Sequence, residues 1–170
     1  MGKNRVKEIL RVNHAGELGA IQIYKGQLAV LKNKSVSKEI KKMLNQEIRH
    51  YETFCNILLE RNIRPSLLSP IWKTGGFGIG VVTAVLGKDA TMACTEAVEE
   101  VIVKHYEKQT EYLKNGKNDL YKITSQFAKE EKEHMDMAGK IKNTDNLGIK
   151  MLKFGIKSLS KIAIKVAEKV

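Results

Sequence analysis

Apolar residues recur along most of the chain at the three- and four-residue steps of an α-helix. After Glu17 they fall at Ile21, Tyr24, Leu28 and Leu31, and similar stripes run through the later segments. Only two prolines occur in 170 residues, and the alternation typical of β-strands is rare. A period near 3.6 residues indicates amphipathic helices. The pattern therefore predicts an all-α fold.

Breaks in these stripes, at residues 33–37 and 114–119 among others, predict where the helices begin and end. The predicted segments, in chain order, are a short basic amphipathic helix (3–12), a first main helix that starts at Asn13, a second (37–61), an apolar loop (65–87), a third that is capped by Asp89 and ends near Leu113, a fourth (119–140) and a basic amphipathic C-terminal helix (147–170). With a hydrophobic content of 42%, the length fits one domain over residues 1–170.

The apolar loop has an unusual composition, because residues 74–87 carry no charge. Fourteen residues are too few to cross a bilayer, which takes about twenty. Its glycines lack the order of a dinucleotide-binding fingerprint, and no strand precedes them. Gly76 and Gly80, four residues apart, predict a small-residue face that packs closely on another helix or enters a membrane interface.

The formal net charge of +11 indicates a polyanionic partner, either a nucleic acid or an acidic lipid surface. Much of the excess lies on the C-terminal helix, where six lysines stand opposite an apolar stripe and Glu168 is the only acid. This pattern favours an anionic membrane surface over nucleic acid, for which no motif is present. A helix docked on the bundle is the alternative.

The two cysteines, Cys55 and Cys94, lie 39 residues apart on predicted helices and form no Cys-x-x-Cys motif. We interpret them as reduced core residues. The first residues lack the apolar core of a signal peptide and the extended Arg- and Ser-rich stretch of a transit peptide. A reducing cytoplasm is therefore the expected location.

One motif occurs twice within the helical segments, as Glu47-Ile-Arg-His50 and Glu131-Lys-Glu-His134. Residues at i and i+3 project from one face of a helix, so each Glu and His can bind the same metal ion. A further glutamate precedes each copy by about thirty residues, at Glu17 and at Glu99. Two halves of this form are typical of a carboxylate-bridged di-iron or di-manganese four-helix bundle.

Helical periodicity selects among neighbouring acids. Glu99 shares a face with apolar residues, whereas Glu96 and Glu100 lie on a charged face. Glu131 likewise lies on an apolar stripe. Glu130 and Glu133 lie nearer the solvent, although Glu130 could reach His134 at i+4 and ranks second.

Four carboxylates in one core require compensating charge, because an unpaired buried charge is very costly. Two divalent cations would supply it, and carboxylates with only two imidazoles favour iron or manganese over zinc or copper. Two Fe(II) ions can reduce O2 by two electrons, which permits monooxygenation. The ligand set by itself also fits ferroxidase storage or peroxide disproportionation.

Several sequence blocks resemble the demethoxyubiquinone hydroxylase family, the di-iron monooxygenases of ubiquinone biosynthesis. The blocks are Arg11-Val-Asn-His-Ala-Gly-Glu17, Gln46-Glu47-x-x-His50, Arg64-Pro65, Gly87-Lys88, Met92-Ala-Cys94-Thr95, Ala97-Val-Glu-Glu100, His105-Tyr106 and Glu130-Glu-x-Glu-His134. The resemblance covers about residues 10–140 and implies a ferritin-like four-helix bundle with additional membrane-interface helices. It implies hydroxylation of a 2-polyprenyl-3-methyl-6-methoxy-1,4-benzoquinone or its quinol, with two Fe2+ ions and O2.

The same resemblance implies six iron ligands, at Glu17, Glu47, His50, Glu99, Glu131 and His134. It places electron input from NADH at His105 and Tyr106. A core tyrosine with one hydrogen bond is the alternative for Tyr106. The chain departs from the family pattern in a shorter link between the third and fourth helices and in Met135, where a second histidine is common.

The resemblance also implies partners and a location. The expected partners are a polyprenyl quinone, the anionic membrane surface, other proteins of ubiquinone biosynthesis and a second copy of this chain, but no nucleic acid. The expected location is peripheral, on the cytoplasmic face of a bacterial-type cell membrane, or on the mitochondrial inner membrane if a transit peptide has been removed. Three alternatives remain open: an iron-storage or peroxide-scavenging bundle, a di-iron tRNA-base hydroxylase, and a non-enzymatic membrane-binding protein without metal.

Overall fold

A computed structural model describes residues 3–31, 34–114 and 119–169, and over these ranges the chain forms α-helices and no strands. The helices are α1 (Lys3–Val30), α2 (Lys34–Glu60), α3 (Ser69–Val85), α4 (Lys88–Leu113), α5 (Asp119–Ile141) and α6 (Leu147–Lys169). The predicted all-α class is confirmed. Helix α2 begins at Lys34, so the predicted break over 33–37 and the predicted helix start at residue 37 are wrong. Residue 33, residues 115–118 and the last residue of the predicted C-terminal helix lie outside the described residues.

Helices α1, α2, α4 and α5 form a four-helix bundle whose interior has two apolar layers. Each helix contributes to both layers. One layer contains Leu10, Phe54, Tyr106 and Phe127, and the other contains Tyr24, Ile40, Met43, Met92 and Ala138. The order of these residues along the chain makes α1 antiparallel to α2, and α4 antiparallel to α5. Since α2 and α4 run in the same direction, a crossover must join them, as in ferritin-like bundles.

Helix α3 is that crossover, so the prediction of an apolar loop over 65–87 is wrong. Residues 69–85 are helical, and Pro70 lies in the first turn, where its missing N–H costs no hydrogen bond. Helix α3 packs closely against α1. A Cβ atom on Gly80 would collide with the carbonyl oxygen of Ile23, and one on Gly76 would lie 2.8 Å from the carbonyl oxygen of Gly19. The predicted close packing of the Gly76 and Gly80 face is confirmed.

Two further predicted helix starts, at Asn13 and at Asp89, are wrong. Helix α1 runs without interruption from residue 3, and Asn13 lies buried within it, where its side-chain amide pairs with that of Gln109. Helix α4 begins directly after Gly87, which has a positive φ of 102° that favours glycine. Asp89 does not cap the helix. Its carboxylate accepts hydrogen bonds from the backbone N–H of Asn143 and the hydroxyl of Thr144.

Helix α6 docks on α4 and α1. This is the arrangement expected from the alternative prediction of a helix docked on the bundle. Its Lys153 lies 2.7 Å from Glu96, and Lys157 pairs with Glu100, so part of the lysine face points to α4 and not to solvent. On the outer side Phe154 is 75% exposed and Met151 67% exposed. None of the described helices combines the length and apolar character that a membrane span needs. Contact of the outer side with a membrane stays a prediction.

Both cysteines are free thiols, as predicted. Cys94 is buried in α4, whereas Cys55 is only half-buried on α2, so only Cys94 is a core residue. Burial raises the pKa of the Cys94 thiol to about 12. Cys94 is therefore a protonated, unreactive thiol near neutral pH.

We predict that Gly80→Ala destabilises the protein although Gly78→Ala does not. Alanine favours a helix interior over glycine by about 1 kcal/mol, and a Cβ on Gly78 would meet open space. At position 80 the same methyl group would push α3 away from α1, and overpacking costs about 1–3 kcal/mol. Urea unfolding of both variants should show the opposite signs. Equal stabilisation would mean that α3 and α1 are not in close contact.

Candidate metal centre

The six predicted ligands lie in one polar layer between the two apolar layers of the bundle. Helix α1 contributes one glutamate, α4 contributes another, and α2 and α5 each contribute a Glu-x-x-His pair. None of the six side chains is more than 3% exposed: Glu17, Glu47, His50, Glu99, Glu131 and His134. The turn between i and i+3 brings each histidine onto the inner face with its glutamate.

Two overlapping groups of four residues can each surround one ion. The first contains Glu17, Glu47, His50 and Glu131, and the second contains Glu47, Glu99, Glu131 and His134. Within each group one ligand atom from every residue lies within 4.8 Å of the others. Glu47 and Glu131 belong to both groups. This sharing is the arrangement in which two carboxylates bridge two ions and each ion has its own glutamate and histidine.

The Nδ1 atoms of both histidines face the carboxylates. His50 Nδ1 lies 2.9 Å from Glu131 Oε1 and 3.5 Å from Glu17 Oε2. His134 Nδ1 lies 3.0 Å from Glu47 Oε1 and 3.2 Å from Glu131 Oε2. Each Nε2 atom points away from the cluster. Nδ1 is therefore the nitrogen of each ring that is placed to bind a metal.

The electrostatics of the layer show how poorly four carboxylates fit there by themselves. Burial, and next the charge of Glu131, raise the pKa of Glu47 and of Glu99 well above the usual range. Burial also acts on Glu131, but hydrogen bonds from His134 and His50 outweigh it and hold its pKa to about 2. Burial acts to lower the pKa of His50, but the nearby carboxylates of Glu131 and Glu17 outweigh it and raise this pKa to about 11.

Several buried oxygens in the layer accept no hydrogen bond from any described residue. They are Glu17 Oε2, Glu99 Oε2 and both carboxylate oxygens of Glu47. The Nδ1 atoms of His50 and His134 lie near Glu17 Oε2 and Glu47 Oε1 but are not aligned to donate a hydrogen bond to them. A buried polar atom without a partner is costly, and carboxylate oxygens with imidazole nitrogens are ligands that iron and manganese accept. These residues fit a pair of divalent cations, which would satisfy the free oxygens and balance the charge.

Glu17 and Glu99 each belong to one ligand group only, and we call them the outer glutamates. A buried tyrosine donates a hydrogen bond to the other carboxylate oxygen of each. The Tyr24 hydroxyl donates to Glu99 Oε1 at 2.5 Å, and the Tyr106 hydroxyl donates to Glu17 Oε1. Each tyrosine lies seven residues after the glutamate of its own helix and reaches the glutamate of the other helix. Sequence reasoning identified Tyr106 but not Tyr24, although the equal spacing was a visible signal.

His105 does not contact the carboxylate layer. Its Nε2 atom lies 2.6 Å from Gln109 Nε2, and Gln109 Nε2 also donates to Asn13 Oδ1 at 2.7 Å. Burial lowers the pKa of His105 to about 4. The imidazole is therefore neutral at pH 7, and it can accept a hydrogen bond from the Gln109 amide.

The neighbouring acids that periodicity placed outside the layer do lie outside it. Glu96 pairs with Lys142 and Lys153, and Glu100 pairs with Lys104 and Lys157. The expectation for Glu130 is wrong in one respect: its carboxylate contacts His50 of α2, at 2.6 Å from Nε2, and not His134.

A cavity of about 300 Å³ lies between α1, α3, α4 and α6. Helices α1 and α4 separate it from the metal centre. Its walls are almost entirely apolar and include Gly16, Gly19, Trp72, Val98 and Ile156. Gly16 and Val98 line the cavity. The residues that follow them, Glu17 and Glu99, lie in the ligand layer. The cavity was not predicted, because it depends on how α3 and α6 dock.

Fold and site together define a ferritin-like helical bundle with a buried glutamate–histidine cluster of the di-metal carboxylate type. The chain belongs to the COQ7 family of ubiquinone biosynthesis proteins, whose sequence profile matches residues 4–167. The family resemblance found in the sequence is thereby confirmed.

Relatives of this chain carry related names. It is 45% identical, over 76% of its length, to the NADPH-dependent 3-demethoxyubiquinone 3-hydroxylase, mitochondrial, of Dictyostelium discoideum, of which it spans only 61%. It is 40% identical to the 5-demethoxyubiquinone hydroxylase, mitochondrial, of Saccharomyces cerevisiae, with 95% of this chain and 77% of that protein covered. The identity to the 3-demethoxyubiquinol 3-hydroxylase of Rhodospirillum rubrum is 40%, covering 97% and 78%.

We predict that the protein binds two Fe(II) ions per chain and that Glu99→Ala lowers this number while Glu100→Ala does not. Glu99 belongs to one of the two ligand groups, whereas Glu100 forms ion pairs on the outside of α4. Elemental analysis after anaerobic loading checks the stoichiometry. Equal metal loss in both variants would contradict the choice of Glu99.

Proposed function

We propose that this chain is a monooxygenase of ubiquinone biosynthesis that hydroxylates the ring of a demethoxyubiquinone or its quinol. The observation that carries the proposal is the buried layer of four glutamates and two histidines in a chain of the COQ7 family. The names of the three relatives, all hydroxylases of this substrate class, support it. They give no support to iron storage, peroxide scavenging or tRNA modification.

The reaction balances with a reduced nicotinamide nucleotide as the electron source. One atom of O2 enters a ring C–H bond to form a hydroxyl group, and the other leaves as water. The nucleotide gives up two electrons and a proton, and one further proton comes from solvent. The family resemblance suggests NADH, whereas the name of the Dictyostelium relative specifies NADPH.

The residues of the layer have distinct tasks in this proposal. Glu47 and Glu131 belong to both ligand groups and would help to hold both iron ions. Glu17 and His50 would hold one ion, and Glu99 and His134 would hold the other. Bound Fe(II) supplies the reducing power that O2 activation needs. The aromatic layer of Phe54, Tyr106 and Phe127 on one side excludes water, which protects a reactive site from side reactions.

The apolar cavity is the proposed place for the substrate. A polyprenyl tail carries no polar groups, and the nearly apolar walls match that chemistry. The cavity shares α1 and α4 with the metal centre, so a quinone ring at its inner wall would lie next to the helices that carry Glu17 and Glu99. A storage protein for iron has no need of such a cavity.

The outer surfaces of α3 and α6 are the proposed contact with the membrane that holds the substrate. Both helices line the cavity and expose large apolar side chains, among them Val82, Val85, Met151 and Phe154. The basic excess of α6 suits anionic lipid headgroups. We propose a peripheral position, on the cytoplasmic face of a bacterial membrane or on the mitochondrial inner membrane. Contacts with other ubiquinone-biosynthesis proteins and self-association are expected on the family resemblance alone.

A single-turnover assay tests the hydroxylation directly. The iron-loaded protein is mixed with labelled O2, NADH or NADPH, and a short-chain demethoxyquinone. Mass spectrometry should show a product heavier by one oxygen atom that derives from O2. Consumption of O2 without this product, in protein that holds two irons, would contradict the proposed function and favour a ferroxidase.

We predict that Tyr106→Phe keeps its iron but loses most of the activity that NADH or NADPH supports. His105 and Tyr106 are the proposed route of electron input, and Tyr106 donates to Glu17. Reduction of the iron by dithionite bypasses this route, so it should restore product in a single turnover. Tyr24→Phe is the matched control, because Tyr24 makes the equivalent bond to Glu99 without a neighbouring histidine. Equal loss in both variants would mean that Tyr106 acts by positioning alone.

We predict that replacing Met151 and Phe154 together by serine weakens binding to anionic vesicles. Both side chains are exposed, so the exchange leaves the docked face of α6 intact. Leu59→Ser is the control, because Leu59 is 78% exposed but belongs to α2, which is not part of the proposed surface. Added salt should weaken binding of the wild type, since it screens the lysines. Unchanged binding of the double variant in a co-sedimentation assay would rule out this surface.

A further inference from the structure

The residues around the two histidines are arranged in a crossed pattern. In each Glu-x-x-His motif, the residue immediately before the glutamate contacts the histidine of the other motif. Glu130, before Glu131, lies 2.6 Å from His50 Nε2. Gln46, before Glu47, lies with its Oε1 atom 3.0 Å from His134 Nε2. Both contacts involve the nitrogen that points away from the carboxylate layer.

The two contacts are equivalent in position but not in charge. Gln46 offers a neutral amide oxygen to His134. Glu130 offers a carboxylate, which also accepts a hydrogen bond from Gln126 at 2.9 Å and pairs with Arg49. These partners keep Glu130 beside the imidazole and outside the ligand layer. Glu130 is therefore a positioning residue for His50 and not a ligand.

A carboxylate behind a metal-binding histidine changes the ligand itself. When the distal N–H donates to a carboxylate, the ring orientation is fixed and the ring becomes a stronger donor to the metal. Loss of such a partner typically costs about 10–100-fold in metal affinity. An amide oxygen accepts the same bond but carries no charge, so it polarises the ring less.

The other surroundings of the two ligand groups do not explain such a difference. Each outer glutamate accepts a hydrogen bond from one buried tyrosine, Tyr106 on one side and Tyr24 on the other. The two bridging glutamates are common to both groups. The ring of His50 also stacks on Phe127, with the centroids 3.8 Å apart, but the phenyl ring carries no charge and accepts no bond from Nε2. The exchange of a carboxylate for an amide is thus the difference in charge between the surroundings of the two histidines.

We propose that Glu130 makes the two metal sites unequal, so that the site of Glu17 and His50 binds a divalent cation more tightly than the site of Glu99 and His134. This inference rests on the proposed di-metal centre. The site with His50 then fills first, and the site with His134 holds the more exchangeable ion.

Isosteric exchanges test the inference, with Co(II) as an anaerobic probe that is followed by visible absorption and calorimetry. The wild type should bind two Co(II) ions in two resolved steps. Glu130→Gln should weaken the first step by about tenfold or more and bring the two steps together. Gln46→Glu should strengthen the second step. Two unresolved steps in the wild type would overturn the inequality.

Single-site backgrounds assign the effect to one ion. Glu99→Ala leaves the ligand group with His50, and Glu17→Ala leaves the group with His134. Glu130→Gln should weaken Co(II) binding in the Glu99→Ala background and leave it unchanged in the Glu17→Ala background. Equal weakening in both backgrounds would show a general effect of charge and overturn the role given to His50.

The outcomes separate this inference from the proposed centre. A wild-type protein that binds fewer than two Co(II) ions would contradict the di-metal centre itself. A wild type that binds two ions, with affinities that Glu130→Gln leaves unchanged, would refute only the role of Glu130. Circular dichroism of each variant shows whether the helices are intact, so a folding defect is recognised as such.

Discussion

Four glutamate carboxylates lie together in the core of this bundle, where their side chains are at most 2% exposed and bulk solvent screens their repulsion poorly. Two histidines and two tyrosines offset part of the cost, yet buried oxygens such as Glu17 Oε2 and Glu99 Oε2 still lack a donor among the described residues. The apolar layers above and below the carboxylates hold the helices together despite this penalty. The folded bundle thus keeps carboxylate oxygens buried without hydrogen-bond donors. Two bound cations would remove this cost, and the free energy so gained would favour metal binding.

The positions of α3 and α6 follow from the directions of the four bundle helices. Because α2 and α4 run in the same direction, the chain must return along the bundle, and α3 does so against α1 through glycine contacts at Gly76 and Gly80. Helix α6 then covers α4 and α1 with ion pairs from Lys153 and Lys157. The apolar cavity lies where α3 and α6 cover the two helices that carry Glu17 and Glu99. The proposed substrate cavity and the proposed metal centre therefore share one pair of helices, α1 and α4.

Near-symmetry in the site follows from repetition in the chain. Each half supplies a glutamate, a tyrosine seven residues later and a Glu-x-x-His motif, and the hydrogen bonds cross between the halves. Such crossing makes each half incomplete without the other, so the layer forms only in the folded bundle. Departures from the symmetry are then informative, as with Glu130 and Gln46, or with His105 beside Tyr106 and no counterpart beside Tyr24.

The sequence by itself determined the helical class, the six inward residues and the family. Helical periodicity is a local property, so the choice of Glu99 over Glu100 required no tertiary information. The helical form of residues 69–85 could not be predicted, because a glycine-rich, charge-free segment has weak helix propensity and is stabilised by docking on α1. Only the tertiary structure decided that Glu130 contacts His50, that Tyr24 contacts Glu99 and that a cavity lies behind the site. Each of these depends on how separate helices pack, and the spacing of residues within one helix does not specify which side chain of another helix they meet.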